Sequence, residues 1–195
     1  MTAISPLQSI HKKGLFGDHH KKNESDLLKI SEVKNLNIIQ LVQYKNLKNK
    51  LRATNIDGLE LSPKVSKVLS NKDTRILWNS PKTWLVLSKK ENILKIIAKE
   101  CKNENFSITD ISHSRAVIQI AGPKSKEVLK KGCPINFNDV GKNNCVGSVF
   151  HGINIVIDCM DDDLQTFNIL TLRSFGESLY HHITDASLEF GYVAV

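Results

Sequence analysis

A chain of 195 residues that is 41% hydrophobic, 24% charged and 6% aromatic has the profile of an ordinary globular protein, which excludes collagen-like, coiled-coil and disordered classes. At this length folding hides roughly 70% of the unfolded surface, so a core needs no disulfide or metal staple. The net charge of +7 raises the question of nucleic acid, but only four basic residues are arginine (Arg52, Arg75, Arg115, Arg173) and the lysines are scattered rather than gathered in a stripe, which argues against it.

Residues 1–25 are polar, rich in Lys, His and Gly, and without sustained periodicity. They read as an extended arm that orders against a partner, ahead of a domain over 26–195 whose two subdomains would divide near 103–110. Leu28 to Val33 alternates as a half-buried strand does, and Ile38 to Tyr44 is β-rich. Residues 47–72 are ambiguous: Leu47, Leu51 and Thr54 fit a short helix, while Asp57-Gly58 and Ser62-Pro63 are breaks. Arg75 to Trp78 and Trp84 to Leu87 form a hairpin with a tryptophan on each arm, turned by Asn79-Ser80-Pro81-Lys82.

Ser88 and Glu91 have the spacing of a capping box for a helix over 89–102. Strands follow over Phe106 to Ser112 and Ala116 to Ala121, and Gly122-Pro123 opens a second helix that stops at Gly132. Val146 to Phe150, Ile153 to Ile157 and Leu164 to Leu172 read as strands. Ser174 and Glu177 form another capping pattern, and Phe175, Leu179, Ile183, Ala186 and Phe190 step at helical spacing behind it. The elements follow the order β-β-α-β-β-α-β-β-β-α, so the fold class is α+β, with antiparallel sheets covered by helices; a strand pair followed by a helix recurs three times, without a repeat at the level of residues.

The standard site motifs are missing. No G-x-G-x-x-G follows a strand, and Gly141-Lys142 lacks the loop and the hydroxyl residue of a phosphate cradle. Cys101, Cys133, Cys145 and Cys159 have no metal-ligand spacing and read as small buried hydrophobes. His19-His20 and His181-His182 would have to meet in space to hold an ion, and Asp161-Asp162-Asp163 lacks the spaced ligands of a calcium loop. In Asp110-Ile-Ser-His-Ser-Arg115 a carboxylate and an imidazole sit three positions apart. An extended chain sends them to opposite faces, so a turn whose Asp and Ser satisfy backbone donors is expected, with Arg115 free to pair across an interface. No apolar run approaches the ~18–20 residues of a membrane helix, and no leader pattern surrounds Lys12-Lys13 or Lys21-Lys22, so a cytoplasmic location is expected.

Several motifs occur in a recognisable order: Leu77-Trp78-x-x-Pro81-x-x-Trp84-Leu85, Asp110-x-Ser112-His113, Gly122-Pro123, Lys131-Gly132-Cys133-Pro134-Ile135 and Arg173-Ser174-Phe175, with Ser5-Pro6-Leu7 near the start. This resembles the aminomethyltransferase and folate-binding superfamily, and within it the gamma-subunit family of heterotetrameric sarcosine oxidase. The resemblance is weakest over 8–28 and 47–72. It implies an aminomethyltransferase-like fold and an accessory role in the oxidation of sarcosine to glycine, with hydrogen peroxide and formaldehyde or methylenetetrahydrofolate formed in alpha, beta and delta partner subunits. It also implies that FAD, FMN, NAD, tetrahydrofolate and zinc are held by those partners and none by this chain. The paired-acid signature of the transferases' folate site, Gly-Gly-x-x-Asp followed by an acid, is missing, so no residue is assigned a catalytic, cofactor-binding or metal-binding role. The expected contact features are Trp78, Trp84, His113, Arg115 and Arg173, because aromatics and arginine concentrate in interface cores. Two other readings remain: a free-standing folate-binding, one-carbon transfer or regulatory protein, and a basic RNA-binding module.

Overall fold

Short apolar, β-branched runs punctuated by turn residues recur along the chain, and strands form from them. The computed structural model describes residues 4–44, 54–102 and 104–195. In chain order the elements are β1 (Gly14–Phe16), β2 (Leu28–Glu32), β3 (Asn37–Gln43), β4 (Asn55–Ile56), β5 (Leu59–Glu60), β6 (Val68–Ser70), β7 (Thr74–Ser80), β8 (Thr83–Ser88), α1 (Ile93–Glu100), β9 (Phe106–Asp110), β10 (Arg115–Ala121), α2 (Ser125–Lys130), β11 (Cys145–Phe150), β12 (Ile153–Asp161), β13 (Thr166–Leu172), α3 (Gly176–Ser187) and β14 (Tyr192–Ala194). The short helix weighed over Leu47, Leu51 and Thr54 lies outside the described residues except at Thr54, which is not helical.

The chain divides into two compact units: Met1–Lys34 with Ser114–Lys142 and Val146–Val195, and Asn35–His113 with Asn143–Cys145. The sequence placed a boundary near 103–110; the compact units change over after Lys34 and after His113.

The first unit is built on a seven-stranded sheet in the order β1-β14-β2-β10-β13-β12-β11. Strand β10 runs antiparallel to both neighbours, with Ile118 opposite Glu32 of β2 and Ile169 of β13, whereas β14 runs parallel to β2. Ile118 and Ile120 of β10 and Phe167 and Ile169 of β13 feed one apolar cluster, which α2 covers with Val128 and Leu129 and α3 with Leu179 and Ile183. Each such aliphatic side chain stabilises the fold by roughly 1.5–3 kcal/mol relative to an exposed one. Residues 4–25, read from the sequence as an arm awaiting a partner, lie on their own chain: Leu7 is fully buried in this cluster, and β1 pairs with β14 (Leu15 opposite Val193). Their apolar residues are too widely spaced to show a local period, and it is the remote strand β14 that gives them regular structure.

The second unit carries a five-stranded sheet, β6-β7-β8-β3-β9, antiparallel throughout. Its core gathers Ile39 and Leu41 of β3, Ile76 of β7, Trp84 and Val86 of β8, and Ile93 and Ile97 of α1. The last two are four apart and share one face of the helix.

Four local expectations are corrected. Ser88 does not cap α1. It ends β8, bonded to Thr74 Oγ1 at 2.9 Å and accepting from Lys90 N, and the helix begins at Ile93. The Ser174–Glu177 box does not form either: Arg173–Phe175 is a 3-10 turn ahead of α3, and Glu177 instead accepts from Ser9 Oγ. The second strand pair of the apparent repeat is not a pair, since β9 and β10 belong to different sheets. Gly122-Pro123 does not open α2 directly, since the helix begins at Ser125 behind Lys124; Gly122 is set instead by its φ of +124° and by the Leu27 carbonyl oxygen, 2.9 Å from where a Cβ would stand.

Candidate functional site

The polar cluster around Asp110 is a turn. Asp110 Oδ1 accepts from Ser112 N at 2.9 Å and from Ser112 Oγ at 2.6 Å, while Ser112 Oγ itself accepts from Ile38 N at 2.9 Å. One hydroxyl therefore ties the end of β9 to the start of β3, and Asp110 Oδ1 is occupied by Ser112 rather than by an imidazole. His113 is exposed in the 3-10 turn Ser112–Ser114. The aspartate run is likewise built into its turn. Asp161 Oδ1 accepts from Leu164 N and its Oδ2 from Lys142 Nζ, both at 2.9 Å, and Asp162 pairs with Lys126 at 2.6 Å. The Leu164 amide and then Lys142 hold the Asp161 carboxyl below the ordinary carboxylate range, so it stays ionised and committed to the turn.

All four cysteines are buried and unbridged. Burial pushes the Cys101 and Cys133 thiols up to about 12, which removes the thiolate that nucleophilic or redox chemistry requires. Cys145 Sγ donates to the Trp78 carbonyl at 3.1 Å. Among the described residues no three His, Cys, Asp or Glu side chains gather to hold a metal. His182 lies against His151 rather than a residue of the His19-His20 pair, ring centroids 5.0 Å apart and tilted by 33°.

Besides His113, exposed in its turn, the expected contact residues form two pairs. Trp78 and Trp84 sit directly opposite each other across β7 and β8. Trp84 is 1% exposed, with Nε1 donating to the Ser62 carbonyl at 2.8 Å, so it is a core residue and not a contact feature. The sequence could not separate these roles, because all of β8 is buried and alternation along it distinguishes no outward face. Trp78 is half-buried against the same cluster. In the first unit Arg115 and Arg173 come together around Leu172: Arg115 opposes Leu172 across β10 and β13, and Arg173 follows it in the chain. Burial lowers the pKa of the Arg115 guanidinium. Arg115 donates to the carbonyl and hydroxyl of Ser114, and Arg173 donates to the Ile4 carbonyl.

Two further features escaped sequence reasoning. Ser31, Gln119, Asn168 and Asp158 are successive cross-strand partners on β2, β10, β13 and β12, a polar row across the sheet. Gln119 Nε2 donates to Asn168 Oδ1 at 2.9 Å. The signal was single polar residues in apolar strands, which only the register aligns. Lys131, within Lys131-Gly132-Cys133, reaches the last turn of α3 and the residues after it: its Nζ donates to the Ala186 carbonyl at 2.5 Å, pairs with Glu189 at 2.6 Å and lies 4.8 Å over the Phe190 ring. A Cβ on Gly132 would stand 2.9 Å from the Phe150 ring, which accounts for that glycine by packing rather than by chemistry.

Comparison with known proteins gives this arrangement a context. The sarcosine oxidase gamma subunit family matches residues 51–189. Over 143 residues the chain is 29% identical to the sarcosine oxidase subunit gamma of Corynebacterium sp. (strain U-96), a match covering 71% of this chain and 68% of that one. It is 24% identical over 120 residues to the subunit gamma of an Arthrobacter species, covering 60% and 58%. In structure it superposes on a chain of the heterotetrameric sarcosine oxidase from Corynebacterium sp. U-96, solved in complex with pyrrole 2-carboxylate, with a TM-score of 0.81 at 22% identity over 96% of this chain and 95% of the other. A glycine cleavage system aminomethyltransferase T from Bartonella henselae shares the fold at a TM-score of 0.60 and 12% identity, over 82% of this chain and 46% of the transferase.

Proposed function

Because the chain belongs to the sarcosine oxidase gamma subunit family, we propose that it acts as an accessory subunit beside alpha, beta and delta partners in a cytoplasmic complex that oxidises sarcosine to glycine. Hydrogen peroxide, and formaldehyde or methylenetetrahydrofolate, form in those partners. FAD, FMN, NAD, tetrahydrofolate and zinc reside there, and this chain contributes shape and contact area. The observation that carries the reading is the family match over residues 51–189, joined to the way the chain spends its reactive groups internally. Asp110 is engaged by Ser112, Asp161 by Lys142 and a backbone amide, and two of its buried thiols are held protonated. Side chains committed in this way brace turns and sheets.

The test is purification of the native complex through a tag on this chain, beside the chain produced alone. The complex should contain three further polypeptides, carry flavin absorbance and consume oxygen when sarcosine is added. The isolated chain should do none of this and should give no heat with tetrahydrofolate in a calorimeter. Amine turnover or stoichiometric flavin or folate binding by the chain alone would overturn the proposal.

A further inference from the structure

At the start of α3 the first unit exposes three large apolar side chains close together: Ile4 at 69%, Leu172 at 43% and Phe175 at 46%. Two arginines stand among them. Arg115 and Leu172 are cross-strand partners, so their side chains leave the sheet on the same face. Arg173 comes next and fixes Ile4 through its carbonyl, and the turn it opens ends at Phe175.

The carboxylates that brace this corner already have donors. Glu32 accepts from Ser5 and lies 3.6 Å from Lys34 Nζ, and Glu177 accepts from Ser9. Among the described residues neither arginine forms an ion pair, and both donate only to neutral oxygens. A half-buried guanidinium without a counter-charge has lost hydration and received little in return. A carboxylate arriving beside it would restore the balance through a charge-assisted, bidentate bond. Arginine flanked by an aromatic and aliphatic rim is also the composition of an interface centre.

We propose that Ile4, Arg115, Leu172, Arg173 and Phe175 form a docking surface for a partner polypeptide of the oxidase, which presents a carboxylate next to an apolar side chain. The surface does not suit a second copy of this chain, because a two-fold contact through it would bring the same arginines face to face. The inference rests on the accessory-subunit reading and adds where, and to what chemistry, the subunit binds.

The experiment uses the whole complex, recovered from cells through a tag on this chain. It compares wild type with Arg115→Glu, Arg173→Glu and a variant carrying the photo-crosslinker p-benzoylphenylalanine at Phe175. Each charge reversal should lower recovery of the flavin-bearing partner about thirtyfold or more, as loss of a binding hot spot does, while the thermal melt of the chain stays unchanged. The crosslinker, placed in a chain with both arginines intact, should join a partner peptide that holds Asp or Glu beside an apolar residue. Undiminished recovery in the reversals overturns the proposal. So does a crosslink to a basic peptide or to another copy of this chain. If wild type itself recovers no flavoprotein, the accessory-subunit reading fails and this surface with it. If wild type and both reversals recover the partner equally, the subunit reading stands and only the surface is wrong.

Discussion

Asp57 shows how a single side chain in the second unit organises three segments. Its carboxylate accepts from Lys90 Nζ, from Thr74 Oγ1 at 2.7 Å and from Asn71 Nδ2 at 3.3 Å. Burial alone would raise its pKa, but these donors, Lys90 first, outweigh that and hold the carboxyl below its ordinary value. A group depressed in this way stabilises the folded chain above the unfolded value of about 4, and the contribution drains away as pH falls through the folded value. Asp57→Asn should therefore cost about 1–3 kcal/mol at neutral pH. The gap to wild type should begin to narrow as pH falls below about 4 and keep narrowing on further acidification. Urea melts of both proteins across that range measure it, and a gap that stays constant or widens on acidification would show that Asp57 acts through shape rather than charge.

At the scale of elements, α3 separates core from surface within one sequence pattern. Phe175, Leu179, Ile183 and Ala186 share a helical spacing, yet Leu179 and Ile183 are fully buried while Phe175 stands outside in the preceding turn. Ile183→Ala should destabilise the chain by about 2–5 kcal/mol, whereas Phe175→Ala should leave stability within about 0.5 kcal/mol of wild type. Chemical denaturation of the two variants decides this, and a large loss in the second would place Phe175 in the core. The middle of α3, the β7–β8 hairpin and strands β10, β12 and β13 were legible because each carries a local signal: helical spacing in α3, turn residues between β7 and β8, and apolar β-rich runs in the strands. The starts of α1 and α3 were not, because Ser88 and Glu177 have capping spacing but are claimed by Thr74 and Ser9. Strands β1 and β14 were invisible for a related reason. Three residues hold no period, and these strands exist through pairing with each other and, for β14, with β2. Of the candidate surface, Arg115 and Arg173 could be named as uncommon arginines in a lysine-rich chain, whereas Ile4, Leu172 and Phe175 needed the fold to bring them alongside.

At the scale of the whole molecule, the chain leaves the first unit after Lys34, returns after His113, and leaves it once more for Asn143–Cys145. The first unit is thus assembled from three stretches, and its sheet closes only when β14 has folded beside β2. Each unit keeps its own apolar cluster, one around Ile118, Phe167 and Ile183 and the other around Ile39, Trp84 and Ile97. Local opening is governed by the apolar contacts a segment must break, so a cavity made in one cluster should loosen the strands that line it. Ile97→Ala should speed amide exchange in α1, β3, β7 and β8 by about thirtyfold or more, with β10, β13 and α3 close to wild-type rates. Ile183→Ala should do the reverse. Mass-spectrometric hydrogen exchange on the two variants reads both patterns in the same peptides. Uniform acceleration across all of these elements in both variants would mean that the chain opens as one cooperative body, in which case the two clusters have no separate energetic meaning.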